Sequence, residues 1–202
     1  FVQSPQCQPS RASIFTGRYP TSHRVWWNGI DLPHSERTIG NWFSKAGYNT
    51  SYFGKLHFDD SGSRDIAAHF GFQYSFTFED WQNELKSLGK PSPILTDMIN
   101  TMGHPYWTGS VKYRNGHHDE VITRMAAEHF VKTRSPKFMV VSYHGPHPPY
   151  ASPQEFSNLY DPATMAIPEK PVKSLLGHTL TAEDWRKLKI QYYGSCSWID
   201  SC

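Results

Sequence analysis

Cysteine is scarce in this sequence, with three among 202 residues, at positions 7, 196 and 202. Three cannot build a disulfide scaffold, which excludes the small secreted domains that depend on one. Cys196 and Cys202 fall on one predicted helix, about 9 Å apart along its axis, too far for an unstrained bridge. Charge of one sign is also lacking. The 20 Lys+Arg against 18 Asp+Glu leave a formal net charge of +2 and no long block of either sign. No nucleic-acid partner or membrane surface is therefore expected. No apolar run approaches the roughly 18 residues of a membrane span, and no internal repeat, low-complexity segment or signal peptide is visible. The sequence starts on Phe1 and stops at Ser201-Cys202 inside a predicted helix, so both ends read as cut.

Hydrophobic residues make up 38% and charged residues 19%, the composition of a globular chain with a real core. The pattern predicts a helix over 8–16, with Pro9 in its first turn and Gly17 as its stop. A second helix is expected over 37–46, with Ile39, Trp42, Phe43 and Ala46 on one face, and a strand over 48–53. Residues 59–116 are rich in Gly, Ser, Pro and aromatics, have no firm period, and read as inserted loops and short elements. An amphipathic helix over 118–134 has Ile122, Met125, Ala126 and Phe130 on one face. The apolar run 138–141 suits a strand buried on both sides of a parallel sheet. A proline-bearing loop to about residue 180 precedes a last helix over 182–201, with Trp185, Leu188, Tyr192, Cys196 and Ile199 at helical spacing. Strands alternating with helices imply an α/β fold, a mainly parallel sheet flanked by helices. Ligands in such folds gather beyond the carboxyl ends of strands. Two polar clusters, 55–57 and 144–147, follow predicted strands.

The most specific segment is Cys7-Gln8-Pro9-Ser10-Arg11, continuing to Thr16-Gly17-Arg18. It puts a thiol at a helix N-terminus, where the dipole and unpaired N–H groups favour an anion, and a guanidinium four residues on, on the same face. A lone cysteine is more often an inert buried one; the extended match argues otherwise. Gly54-Lys55-Leu56-His57 would put a cation and an imidazole on one side if the strand persists. Ser142-Tyr143-His144-Gly145-Pro146-His147-Pro148-Pro149 offers a His-x-x-His pair. Zinc is disfavoured there, because no Glu follows the first histidine and the pair need not be helical.

Taken together, the Cys-x-Pro-Ser-Arg and Thr-Gly-Arg segments, Gly-Lys-x-His and Pro-His-x-Pro resemble the signature motifs of the sulfatase family. The likeness covers residues 1–58 and 119–200, including Tyr192 to Asp200, which resembles a family helix with a structural aspartate. The resemblance implies an alkaline-phosphatase-like fold, of which residues 1–202 are an incomplete catalytic domain, with 59–116 a variable insertion shaping the substrate pocket. It implies that Cys7 is oxidised to formylglycine by a generating enzyme that reads Pro9 and Arg11. Arg11 would support that residue, Lys55 and His147 would hold sulfate, and His57 would orient the nucleophile, with His144 structural. The implied metal is Ca2+, or Mg2+, bound by residue 7 as formylglycine and by carboxylates outside this sequence; without them the isolated piece is expected to be inactive. The implied substrate is a sulfated small molecule or sugar, and the implied compartment periplasmic, secreted or lysosomal. Trp27, beside Trp26, is a candidate stacking surface for an aryl or sugar ring, though a packing role is commoner for tryptophan. Three alternatives stay open: phosphonate or phosphate monoester hydrolysis with the same nucleophile, a catalytically silent binding relative, and a zinc-binding histidine protein.

Overall fold

The structure, a computed structural model, describes residues 1–61, 63–90, 94–95, 108–111, 116–148, 150–169 and 179–202. The chain divides into two compact units, 1–84 with 122–142, and 85–121 with 143–202.

The first unit begins with α1 (Cys7–Thr16), closed by Gly17 in the left-handed conformation, and a single turn α2 (Pro20–His23). Buried His23 ties the two together: Nε2–H donates to Ser13 Oγ at 2.9 Å while Nδ1 accepts from the Val25 N–H. Arg18 grips Glu36 with one nitrogen on both carboxylate oxygens, at 2.7 and 2.8 Å. Next come α3 (Ile39–Lys45), started by a Thr38–Asn41 capping box, and β1 (Asn49–Gly54). The stretch expected to hold loops and short elements then forms α4 (Arg64–His69), β2 (Tyr74–Phe76) and α5 (Phe78–Ser87), the last three residues of which belong to the second unit. β2 pairs in parallel with β1, and β1 pairs in parallel with β5 (Lys137–Ser142), giving the order β2-β1-β5. Most of α6 (His118–Lys132) belongs to this unit.

Its core joins Ala12 and Phe15 of α1 to Val25, Leu32, Tyr52, Leu56, Phe58, Ala67, Phe70 and Phe72. The aromatics meet edge-on, with Phe15 to Phe58 at 5.0 Å and Tyr52 to Phe72 at 4.9 Å between ring centres. Three expectations about faces are corrected here. The strand buried on both sides is β1, not β5, because β1 has a neighbour on each edge; Val141 of β5 is 39% exposed. On α3 the buried residue is Gly40, packed against Phe72 and the Phe70 carbonyl, while Trp42 is exposed. On α6, His129 takes the inward place expected for Phe130, stacking on Tyr74 at 4.1 Å, and Phe130 lies under the Lys137 ammonium. Residues 59–87 supply a strand of the sheet and three core phenylalanines.

The second unit contains β3 (Ile94–Leu95), antiparallel to β4 (Thr108–Val111), which runs parallel to β6 (Tyr150–Pro153). The turn α7 (Gln154–Ser157) and the long α8 (Ala182–Ser201) follow. Residues 150–157, expected within a loop, are thus a strand and a helical turn. The buried side of α8 is Leu188, Gly194, Ser195 and Trp198, not the line through Cys196. Gly194 lets the helix approach Ser152 and Ser157, where an added Cβ would come within 2.6–3.0 Å. Asp200 is exposed, with no ion pair among the described residues. No described helix is long and apolar enough to cross a membrane.

Candidate active site

Cys7 is the first residue of α1, with Gln6 before it in extended conformation. Few of the N–H groups expected to face an anion remain available. Gln8 donates its N–H to Asn28 Oδ1 at 3.0 Å, Pro9 has none, and Ser10 donates to the Gln6 carbonyl. What persists is the helix dipole, and around it a set of side chains. Asn28 Nδ2 lies 3.9 Å from Cys7 Sγ. Gln8, almost completely buried, holds the loop bearing Asn28 in place: its amide donates to the Ile30 and Phe58 carbonyls and accepts from the Gly29 N–H. Neither Gln8 nor Asn28 was selected from the sequence, since neither carries a reactive group. Their partners lie 20 to 50 residues away.

Arg11 is anchored rather than loose. Nε donates to the Leu56 carbonyl at 2.8 Å, and Nη2 to Ser142 Oγ at 2.9 Å, to Tyr52 Oη and to the Lys55 carbonyl. Lys55 is half-buried. Burial pulls its ammonium pKa down; the Cys7 side chain raises it and Arg11 lowers it. Lys55 therefore answers electrically to both signature residues.

β1 does not persist through this motif. Gly54 has φ +94° and His57 φ +55°, so the strand ends at Gly54 and the alternation expected to align Lys55 with His57 does not hold. The turn itself places them. Gly54 sits so tightly on β5 that a Cβ would lie 2.1 Å from the Ser142 carbonyl oxygen. His57 adopts a left-handed conformation that is uncommon for a non-glycine residue, strain of the kind that collects at functional sites.

His144 and His147 belong to the second unit. Asp119 arranges their loop, accepting the His144 N–H at 2.9 Å and the Gly145 N–H at 3.4 Å. The His144 ring lies 4.9 Å from His118 and 4.8 Å from His147, and His147 Nδ1 is 2.6 Å from the Pro148 carbonyl. Pro149 lies outside the described residues.

The buried group His117, His118 and Asp119 was missed by sequence reading. It brings three possible ligand atoms within 4.8 Å of one another. They do not form a calcium or magnesium site, which needs several oxygens. They are also committed elsewhere: His117 Nδ1 accepts from Trp198 Nε1 and the Asp119 N–H, and Asp119 carries the loop amides. The side chains at Cys7 are likewise cationic or amide. Among the described residues, then, neither group makes a site for a hard cation, whose oxygen ligands are expected from residue 7 as formylglycine and from outside this sequence.

Burial, followed by the neighbouring His118 imidazole, lowers the His117 pKa from 6.5 to about 3; the carboxylate of Asp119 works against this. His118 is lowered too, by burial and then by His144. Asp119 is raised by burial, against His117 and the two amides. A histidine depressed in the folded state binds protons preferentially when unfolded, so its contribution is full above pH 6.5 and fades toward pH 3. The raised Asp119 pKa opposes part of this loss. Denaturant melts from pH 7.5 to 4 should show falling stability below about pH 6.5, and His117→Asn should flatten the slope.

The family model described as Sulfatase matches residues 1–200, and the chain belongs to the sulfatase family. It is 32% identical over 183 residues to an ulvan-active sulfatase of Formosa agariphila, covering 81% of this chain and 31% of that protein. It is 25% identical over 228 residues to a choline-sulfatase of Rhizobium meliloti, covering 99% of this chain and 44% of that protein. The chain therefore spans less than half the length of these relatives. A phosphonate monoester hydrolase from Silicibacter pomeroyi superposes with TM-score 0.75 at 24% identity, over 99% of this chain and 49% of that one. The fold is alkaline-phosphatase-like α/β, and this chain carries part of it.

Proposed function

We propose that the whole protein hydrolyses sulfate esters of a small molecule or sugar, through a formylglycine made from Cys7. The observation that supports this most is the setting of Cys7 at the start of α1, with Asn28 on its sulfur and Lys55 and anchored Arg11 beside it. The Sγ stands where an oxygen of the hydrated aldehyde would be. One hydroxyl of residue 7 forms a bond to sulfur as the bond from sulfur to the alcohol oxygen breaks, and the alcohol leaves with a proton. Loss of the proton from the second hydroxyl re-forms the aldehyde C=O and expels sulfate; water then restores the hydrate. Splitting one hard displacement into two is the advantage of a covalent nucleophile. Arg11 and Lys55 supply fixed positive charge where anionic oxygens gather, the largest stabilisation such a site can offer. His57 orients the nucleophile. His147 is assigned to sulfate from its Pro-His-x-Pro segment alone. Trp26 and Trp27, 52% and 64% exposed, are not core tryptophans, and Trp27 remains the stacking candidate for the organic part of the substrate. Residues 59–116 would shape the pocket through their part outside the sheet.

A divalent cation, calcium or magnesium, would draw at most an oxygen of residue 7 from this chain. The 202 residues alone are accordingly assigned no activity.

Mass spectrometry of the peptide around Cys7 tests the nucleophile, because formylglycine carries one oxygen in place of sulfur and two fewer hydrogens. Parallel assays with 4-nitrophenyl sulfate, phosphate and phenylphosphonate then separate the sulfatase reading from its phosphoryl rival, and unmodified Cys7 with no turnover would favour a silent relative. In the full-length protein, Lys55→Ala, His57→Ala and His147→Ala should each lower kcat/KM by at least about a hundredfold. His144→Ala should cost much less, and equal damage from the two loop variants would overturn the assignment within that loop.

A further inference from the structure

Among the described residues outside the groups already given a chemical role, the buried side chain of Tyr52 touches Arg11 directly. Tyr52 lies at the centre of β1, completely buried, its ring packed on Phe15 and Phe72. A tyrosine so deep in an aromatic core needs a partner for its hydroxyl. It has two kinds: Oη donates to the Lys55 carbonyl at 2.6 Å and accepts from Arg11 Nη2. Phenylalanine would fill the same space, so packing alone does not explain the hydroxyl.

The donor count of Arg11 shows what the hydroxyl does. A guanidinium has five N–H donors in a rigid plane. Nε is used on Leu56, and Nη2 is shared among Tyr52, Lys55 and Ser142. Among the described residues, the two Nη1 hydrogens have no hydrogen-bond partner. The plane is therefore fixed along one edge, and Nη1 is the edge left for a ligand.

We infer that Tyr52 is a positioning residue, whose hydroxyl locks the Arg11 plane so that Nη1 is held ready for an anionic oxygen at residue 7. Its kinetic consequence rests on the proposed function; the locking of the guanidinium does not. A preset charge costs no reorganisation as the transition state forms, so losing the lock lowers kcat more than it raises KM. Rotation of the freed guanidinium would blur the donor geometry, and a misplacement of about 1 Å can cost on the order of a hundredfold.

The test uses full-length protein and two readouts. With formylglycine installed, Tyr52→Phe should lower kcat on 4-nitrophenyl sulfate about 10- to 100-fold while KM moves less than about threefold. In an Arg11→Ala background the same change should have no further effect, because Tyr52 acts through Arg11. In 15N-arginine spectra, Arg11 should show separate, slowly exchanging Nη signals, identified by their loss in Arg11→Lys, and Tyr52→Phe should merge them. Additive kinetic losses, an unchanged kcat, or Nη signals that stay resolved in Tyr52→Phe would each overturn the inference. If the wild-type protein turns over no substrate, the sulfatase reading fails, and the spectra still decide whether Tyr52 locks Arg11. Should Tyr52→Phe not fold, Ser142→Ala removes another acceptor of the same Nη2 and should merge the signals too.

Discussion

Cys7→Ala in the full-length protein leaves hydrolysis of 4-nitrophenyl sulfate down by more than about 10^4-fold, with the unfolding curve almost unchanged. The two halves of this result have separate causes. Turnover is lost because the carbon that should become the aldehyde carries no heteroatom, so no covalent path exists and only binding and electrostatics remain. Stability is kept because the Cys7 side chain carries little structure. It is partly exposed, and among the described residues its one hydrogen-bond contact is with Asn28 Nδ2, 3.9 Å from sulfur. Alanine is also the best helix former. The loop facing Cys7 is secured by Gln8, not by the thiol. Stopped assays on the purified variant beside denaturant melts measure both. Activity within tenfold of wild type would refute the proposed nucleophile.

Gly54→Ala is expected to do the reverse, removing activity by removing structure. At φ +94° an L side chain is strained, commonly by about 1–3 kcal/mol. The new Cβ would also meet the Ser142 carbonyl oxygen at 2.1 Å and Ile122 Cδ1 at 3.1 Å. The first is backbone and cannot swing aside; the carbonyl is moreover the acceptor for the Lys55 N–H. Relief requires β1 and β5 to separate at their carboxyl ends. Adding the cost of overpacking gives a total loss of roughly 2–6 kcal/mol, a large part of a typical folding free energy. A melting temperature within a few degrees of wild type would show that the strands yield more easily than their packing implies.

Much of this site was visible in the sequence because signature segments are local. The helix at Cys7, its stop at Gly17, and the placement of 55–57 and 144–147 after strands all follow from short-range pattern. The structure bears them out. What pattern could not supply was long-range pairing. Whether a strand is central or at an edge depends on its neighbours, so β5 looked central from its apolar run, and β2, three residues long, left no period at all. Gln8 and Asn28 have no reactive group to draw attention. Trp198 and His117 meet 81 residues apart. The Lys55–His57 alternation failed because a glycine beside the strand end admits a turn that the residues themselves do not announce.

The anchoring of Arg11 also has a temporal side. Its acceptors at residues 52, 55 and 56 follow within 45 positions, but Ser142 comes 131 positions later. At a synthesis rate of about 5–20 residues per second, that separation is roughly 7 to 26 seconds on the ribosome. β5, the partner that closes the far edge of β1, is made only at the end of that interval. Until it emerges, the signature helix lacks both its last ligand and the strand behind it. The nascent chain thus passes through a period of seconds in which residues 7–11 are synthesised but not yet locked, open to any enzyme that must reach them.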